Sequence, residues 1–146
     1  MYVERTFTVP RPVGAVFAYL ADFTHTEEWD PGTVSTTRTG GDGGLGTTYA
    51  NTSQFLGRQV ELTYENTSFE PERELKFRGT NASSTATDWL RLRAVSDNAT
   101  EIHYRADFEF HGVLRLLAPL VVKPKLSALA DETIEKLTET LVSKTS

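Results

Sequence analysis

Apolar and polar residues alternate most regularly along residues 100–111. The apolar positions are Ile102, Tyr104, Ala106, Phe108 and Phe110, and the positions between them are His103, Arg105, Asp107, Glu109 and His111. Because successive side chains of a strand point to opposite faces, this pattern predicts a strand with one face on a core and the other in water. Residues 84–97 and 58–70 repeat the alternation.

Four further stretches are rich in β-forming residues and are bounded by turn residues. They are residues 2–9, 33–39, 47–55 and 73–80. Short connections such as Leu56-Gly57 predict hairpins between consecutive strands, and therefore an antiparallel meander. The two faces of residues 47–55 are both mixed in polarity, so the pattern does not orient this strand.

Helical spacing of apolar residues occurs after Pro12 and again near the C-terminus. Val13, Val16, Phe17 and Leu20 predict one short helix, and residues 22–32 predict a second. The long C-terminal stripe consists of Leu126, Leu129, Ala130, Ile134, Leu137 and Leu141. Pro119 and Pro124 are expected to interrupt the preceding stretch and leave an irregular apolar segment before this long helix.

The order of these elements predicts an α+β fold in a single domain, residues 1–146. A sheet of six or seven antiparallel strands needs its apolar face covered, and only the C-terminal helix is long enough to do so. Since one helix cannot cover so wide a sheet, we expect the sheet to curve around it. The space between them would then be an apolar cavity.

Composition narrows the classes of partner. The chain has 146 residues, no cysteine and a net charge of −5. The absence of cysteine excludes disulfides and thiolate metal sites and suits a cytoplasmic location. The acidic balance disfavours a nucleic-acid partner. The longest apolar run, Val113–Val122, is about half the ~20 residues that a transmembrane helix needs. No signal peptide is expected, because the N-terminus is charged.

Several motifs resemble the polyketide cyclase/dehydrase group of the START/Bet v 1-like (SRPBCC) superfamily, along essentially the whole chain. The motifs are Pro12 with Val16-Phe17 and Leu20, Phe23 with Glu28-Trp29-Asp30-Pro31, Gly46-Thr47-Thr48-Tyr49, Thr100-Glu101-Ile102-His103-Tyr104, and Gly112-Val113-Leu114-Arg115. The resemblance implies the helix-grip fold, in which a curved sheet surrounds the long helix. Cyclases, lipid carriers, hormone receptors and co-chaperones all share this fold, so it specifies function only by analogy.

The inward positions of the predicted strands are the candidate ligand-binding residues. Together with Trp29 they are Tyr64, Phe77, Leu90, Leu92, Tyr104, Phe108 and Phe110. Trp29 would either line the cavity mouth or anchor the two short helices. Each inward tyrosine needs a partner for its hydroxyl, which a ligand or a neighbouring side chain could supply.

Asp88 and His25 are the candidate catalytic residues. If Leu90 and Leu92 point inward, period two places Asp88 inward as well, where burial would raise its pKa. A bulge nearby would turn it to water instead. His25 lies where helix-grip proteins form one lip of the entrance, and it could exchange protons near neutral pH, although its polar neighbours suggest an exposed loop.

No motif for a metal or cofactor is found. His25, His103 and His111 have no ligand spacing, so no metal site is expected. The glycine-rich residues 40–46 lack the Gly-Lys-Ser/Thr ending of a phosphate loop. No cofactor is therefore predicted.

Three functions are compatible with these patterns. The leading hypothesis is that the cavity binds a small hydrophobic or aromatic molecule. The first alternative is a cyclase or dehydratase acting on a polyketide-like substrate, which an inward carboxylate beside a tyrosine hydroxyl would favour. The second is a protein-interaction module that uses the outer sheet face. Homodimerisation is compatible with all three.

Overall fold

The computed structural model of the chain describes residues 1–145. The strands are β1 (Tyr2–Val9), β2 (Thr33–Gly40), β3 (Thr48–Phe55), β4 (Arg58–Glu70), β5 (Glu74–Thr80), β6 (Ser84–Ser96) and β7 (Ala99–Phe110). The helices are α1 (Val13–Ala21), α2 (Thr26–Trp29), α3 (Leu114–Val121) and α4 (Lys123–Lys144), with a 3₁₀ turn at Phe23–His25. The predicted α+β class and the predicted strands are confirmed.

All seven strands form one antiparallel sheet in the order β1-β7-β6-β5-β4-β3-β2. Strands β2 to β7 follow one another as a meander, which the short hairpin connections predicted. Strand β1 is the exception, because it pairs with β7 at the far side of the sheet. Arg5, for example, lies opposite Tyr104.

The inward face of the sheet can be followed from strand to strand through the register. Tyr104 on β7 pairs with Leu90 on β6, and Leu90 pairs with Leu75 on β5. All three side chains are buried. The alternation predicted along β7 is confirmed, because Ile102, Tyr104 and Ala106 are buried while Glu109 is exposed.

Strand β3, which the sequence could not orient, is oriented by its pairing with β4. Tyr49 lies opposite Tyr64, and Asn51 lies opposite Leu62. Tyr49 and Asn51 are both buried, so their face is the inward one. The polar Asn51 is accommodated because its amide donates a hydrogen bond of 2.9 Å to the Thr36 hydroxyl on β2.

Helix α4 packs its apolar stripe on the inward face and contacts β1. Its buried residues are Leu126, Ala130, Thr133, Leu137 and Leu141. Leu129 was predicted on this stripe, but 36% of its surface is exposed, so that prediction was wrong. Thr133 takes a buried place on the stripe because its hydroxyl donates to the Leu129 carbonyl one turn earlier, at 2.8 Å.

The segment before α4 is helical, which corrects the prediction of an irregular stretch. Pro119 lies inside α3, and the break between the helices falls at Val122. Pro124 lies in the first turn of α4, where a helix has no use for a backbone N–H donor. The two prolines thus coincide with two consecutive helices rather than with an unstructured run.

An aromatic cluster fills one part of the space inside the sheet. Phe23 stacks on Phe77 with ring centroids 4.4 Å apart, and it also lies 4.6 Å from the Tyr64 ring. Tyr49 contacts both Phe23 and Phe77. These rings are buried, so this part of the interior is packed core.

Gly79 lies opposite Tyr64 in the sheet, and because it has no side chain it leaves space for the Tyr64 ring. A Cβ atom placed at Gly79 would lie 2.6 Å from Cζ of Tyr64. We expect Gly79→Ala to lower the free energy of unfolding by about 1–3 kcal/mol through overpacking. Chemical denaturation measures this.

Gly32→Ala is the matched control, since its Cβ would meet its nearest atom at 3.4 Å. The clash with Tyr64 is tested by adding Tyr64→Ala to the Gly79 variant. The two effects should then be less than additive, because the ring that the new methyl meets is gone. Strict additivity would show that Gly79 acts through something other than Tyr64.

Candidate functional site

Asp88 lies at the middle of the inward face. It pairs with Phe77 on one side and with Ala106 on the other, so its neighbours in the sheet are apolar. Its Oδ1 accepts a hydrogen bond of 2.7 Å from the Tyr104 hydroxyl. Within residues 1–145 no group donates a hydrogen bond to its Oδ2, and the side chain is half-buried rather than sealed. One carboxylate oxygen is therefore available to another donor.

Burial raises the pKa of Asp88 to about 7, and the nearby charge of Asp30 adds to this rise. The hydrogen bond from Tyr104 acts in the opposite direction, because it stabilises the carboxylate. Asp88 can consequently hold or release a proton close to neutral pH, which is the range that suits a general acid or base.

Asp30 is the site residue that sequence reasoning missed. Its carboxylate accepts from the Gly32 N–H at 3.1 Å and from the Thr33 hydroxyl at 2.9 Å, as a turn former before proline does. Burial also raises the pKa of Asp30, and its charge acts on Asp88. The motif Asp-Pro-Gly indicates a turn, but nothing in the spacing indicates that the turn faces Asp88.

Tyr64 and Tyr104 surround this carboxylate pair with neutral hydroxyls. Burial raises the pKa of both phenols well above the ordinary value, and the charges of Asp88 and Asp30 raise them further. Both hydroxyls therefore stay protonated and can donate. Tyr104 donates to Asp88. The Tyr64 hydroxyl donates no hydrogen bond to any group within residues 1–145.

Trp29 completes the site from the helical side. Its ring meets the Tyr104 ring edge-on, with centroids 6.2 Å apart. The side chain is buried, yet its indole N–H finds no acceptor within residues 1–145. Trp29 thus anchors α2 against the sheet, one of the two predicted alternatives, and it also carries an unused donor.

The other candidate ligand-binding residues divide into two groups. Phe77, Leu90 and Leu92 are buried in the main core. Phe108 and Phe110 are half-buried and pack with a second cluster of Ala118, Val122 and Leu126 from α3 and α4. Phe55 stacks on Phe108, with centroids 6.3 Å apart.

The histidines lie away from Asp88. His25 stacks on the Tyr19 ring, and its Nδ1 lies 2.6 Å from the Tyr19 carbonyl. His103 Nε2 lies 2.8 Å from Glu4, and His111 Nε2 lies 3.3 Å from Thr85. Across residues 1–145 no three His, Asp or Glu side chains are grouped as a metal site would require. The structure therefore does not bring His25 together with the other catalytic candidate.

The outer sheet face carries charges that mostly neutralise one another. Arg105 pairs with Asp107 at 2.9 Å, and Arg93 pairs with Glu101 at 3.1 Å. The Trp89 ring lies among cations there, with the Lys76 amine 4.1 Å from its centroid. A shallow groove of about 330 Å³ crosses this face.

A larger cleft opens between α1 and the glycine-rich loop that joins β2 to β3. Its volume is about 720 Å³, and its walls include Ala18, Ala21, Asp22, Tyr49 and Phe69. Hydrogen bonds within the loop stabilise its conformation. The Gly43 N–H donates to the Thr47 hydroxyl at 2.8 Å, and the Gly44 N–H donates to Asp42 at 2.9 Å. The glycine-rich sequence gave no sign of a cleft here.

Solved structures share this fold at low sequence identity. The Zhui aromatase/cyclase from Streptomyces sp. R1128 superposes with a TM-score of 0.83 at 15% identity, covering 100% of this chain and 96% of that one. A START superfamily protein from Mycobacterium smegmatis gives 0.74 at 14% identity, covering 99% and 96%. Norcoclaurine synthase from Thalictrum flavum, in complex with dopamine and hydroxybenzaldehyde, gives 0.64 at 15% identity, covering 100% and 88%.

These likenesses establish the helix-grip fold that the sequence motifs suggested. A search of curated proteins found no sequence match to the chain. No helix formed within residues 1–145 has the length and apolar character to cross a bilayer. A family model does match, over residues 2–142, and its description is polyketide cyclase / dehydrase and lipid transport. The chain belongs to this polyketide cyclase/dehydrase and lipid transport family.

Proposed function

We propose that the chain binds a small hydrophobic molecule of aromatic character between the sheet and α4, and that Asp88 and Tyr104 hold the molecule's polar group. The observation that carries this proposal is the free Oδ2 of Asp88, whose two neighbours in the sheet, Phe77 and Ala106, are apolar. A carboxylate in such a place is costly unless it is paired with donors. A ligand hydroxyl or amine supplies the missing donor.

The charges around the site favour a ligand that is neutral or positively charged. The charge of Asp30 raises the pKa of Asp88, as a like charge does, and both tyrosine hydroxyls are neutral. A ligand carboxylate would add a third negative group to this cluster, whereas a phenol or an amine would donate to Asp88. The unused indole N–H of Trp29 suits a neutral acceptor such as a ketone oxygen. The ligand is therefore neutral or cationic.

Three naphthalene probes of matched size test this selection: 2-naphthol, 2-naphthylmethylamine and 2-naphthoate. Isothermal titration at neutral pH should show that the naphthol and the amine bind at least about tenfold more tightly than the naphthoate, since a hydrogen bond to a charged group contributes about 1.5–3 kcal/mol. Native mass spectrometry, with a denatured sample as control, identifies any molecule that copurifies.

Asp88→Leu should weaken binding of 2-naphthol by about tenfold or more, because the acceptor is lost. Asp97→Leu is the control, since Asp97 is exposed in the turn between β6 and β7. If naphthoate bound as well as naphthol, or if Asp88→Leu bound naphthol unchanged, the polar anchor would not be at Asp88.

A second candidate function is proton-transfer catalysis, a cyclase or dehydratase acting on a polyketide-like substrate. The specific observation is the contact of Asp88 with the Tyr104 hydroxyl, because an inward carboxylate with a pKa near 7 can remove a proton next to a ketone while a neighbouring hydroxyl orients it. Positioning in the cavity would then select the ring that closes.

Deuterium exchange of 1-acetylnaphthalene in heavy water tests this second function. Asp88 removes a methyl proton next to the carbonyl, and solvent deuterium replaces it, which proton NMR follows directly. Asp88→Asn should reduce the protein-dependent rate by about 100-fold or more, a typical contribution of a general base. Exchange no faster than in buffer, with the ketone bound, would limit Asp88 to binding.

A further inference from the structure

Helix α3 exposes apolar side chains along most of its length. Leu116 is 73% exposed and Leu120 is 76% exposed. We call the exposed apolar residues of this segment the α3 face; they are Val113, Leu114, Leu116, Leu117, Leu120 and Val121. Scattered apolar residues are normal on a protein surface, but six within nine consecutive positions form a patch that marks an interaction site.

The α3 face has no partner within residues 1–145. The side of α3 that meets the rest of the protein is narrow, and it consists of Ala118 together with Val122 at the boundary with α4. These two residues pack on Phe108 and Phe110. None of the six apolar residues of the α3 face belongs to either buried core cluster.

The charged residues within α3 and next to it along the chain are all positive. Residues 111–130 contain Arg115, Lys123 and Lys125 and no Asp or Glu, although the chain as a whole carries a net charge of −5. All three cations are exposed. The β3–β4 hairpin adds Leu56 and Arg58 at the same end, since Phe55 beside them stacks on Phe108. A partner that fits the α3 face therefore has an apolar layer covered by negatively charged groups.

We propose that the α3 face docks on an anionic lipid surface, with α3 lying in the plane of the membrane interface. An apolar helix face flanked by Lys and Arg is what holds peripheral helices at the boundary between head groups and acyl chains. Each cation near an anionic surface adds to this attraction. The eight residues of α3 are far too few to cross the bilayer, so the contact is superficial.

A second copy of the chain fits the α3 face less well. In a two-fold dimer the same patch meets itself, so Arg115, Lys123 and Lys125 of both subunits would be brought to one interface, and residues 111–130 supply no Asp or Glu to pair with them. Like charges brought together in this way oppose association. An anionic bilayer instead neutralises them, which decides between the two occupants.

Vesicle cosedimentation tests the docking with phosphatidylcholine alone and with phosphatidylcholine mixed with phosphatidylserine. We expect the chain to bind the mixed vesicles, to bind the neutral vesicles much less, and to be released by added salt, which screens the attraction. The double variant Leu116→Ser/Leu120→Ser should weaken binding to mixed vesicles by about tenfold or more, because two apolar anchors are lost.

The variant Lys123→Glu/Lys125→Glu tests the charges and should lose about tenfold or more in binding to mixed vesicles only. Arg73→Glu/Arg78→Glu makes the same change in net charge elsewhere and is its control, and Leu45→Ser is the control for an exposed leucine. All four variants change exposed side chains, so circular dichroism should show unchanged melting.

Three outcomes would overturn the proposal. The first is an absence of binding to either kind of vesicle. The second is equal loss in the test variants and in their controls, which would show a general charge or solubility effect. The third is a dimer in light scattering that Leu116→Ser/Leu120→Ser converts to a monomer, which would assign the α3 face to a second copy of the chain. None of these outcomes bears on ligand binding at Asp88.

Discussion

Asp88→Asn is expected to be more stable than the unchanged chain at pH 8, and to lose that advantage near pH 4. The ordinary pKa of the carboxyl, 3.8, applies in the unfolded chain, whereas burial raises it to about 7 in the folded one. The folded protein therefore retains a proton that the unfolded chain has already released. Stability due to this carboxyl is fully present below about pH 4 and is lost as the pH rises through 7.

The size of this effect follows from the difference in pKa. Each unit corresponds to about 1.4 kcal/mol, so the stability difference between Asp88→Asn and the unchanged chain should grow by up to about 4 kcal/mol between pH 4 and pH 8. Asparagine keeps an oxygen that accepts from the Tyr104 hydroxyl, so little else changes. Urea denaturation of both proteins at each pH gives the difference directly.

Asp97→Asn serves as the control, because Asp97 is exposed and should leave the difference flat across the same pH range. A flat difference for Asp88→Asn as well would mean that the carboxyl is solvated in the folded state. It would also remove the reason for considering Asp88 as a general base at neutral pH.

Phe77→Ala is expected to lower the free energy of unfolding by about 3–5 kcal/mol. Phe77 has no exposed surface, and its ring stacks on Phe23 at 4.4 Å. Tyr49 and the sheet hold the neighbouring rings in place, so the space that the ring vacates cannot close by small movements. Denaturation in urea or guanidinium measures the loss.

Leu45→Ala provides a comparison at an exposed apolar position, where we expect a change within about 0.5 kcal/mol. A loss well below 3 kcal/mol for Phe77→Ala would show that the surrounding rings can collapse into the gap. Phe77 would then count as a residue that can move rather than as fixed core.

The fold could be predicted because several strands alternate without ambiguity. Once Leu90 and Leu92 point inward, a period of two fixes Asp88 inward without any structural knowledge, and the structure places it there. Strand β3 could not be oriented in this way. Its inward face carries Asn51 and Tyr49 and its other face is equally mixed, so only the pairing with β4 decides.

Asp30 and Trp29 show where sequence reasoning ends. Both lie at the end of α2. The charge of Asp30 acts on Asp88 of β6 and the Trp29 ring meets Tyr104 of β7, and these partners are far apart in the chain. No periodicity along one segment records such contacts. The prediction made from the prolines before and in α4 was wrong for a different reason. Pro124 was expected to break a helix, but it lies in the first turn of α4, where proline is tolerated.

The position of β1 in the sheet has a consequence for how the chain reaches its fold. Strand β1 is made first of the strands during synthesis, and its partner β7 is made last. Val3, for example, cannot pair with Ala106 until β7 has been made. The hairpins from β2 to β7 need only local pairing, whereas this contact closes a loop of about a hundred residues and so is slow. Until β7 emerges, the nascent chain carries an unpaired strand with exposed edges, which is the condition under which chaperones are most needed.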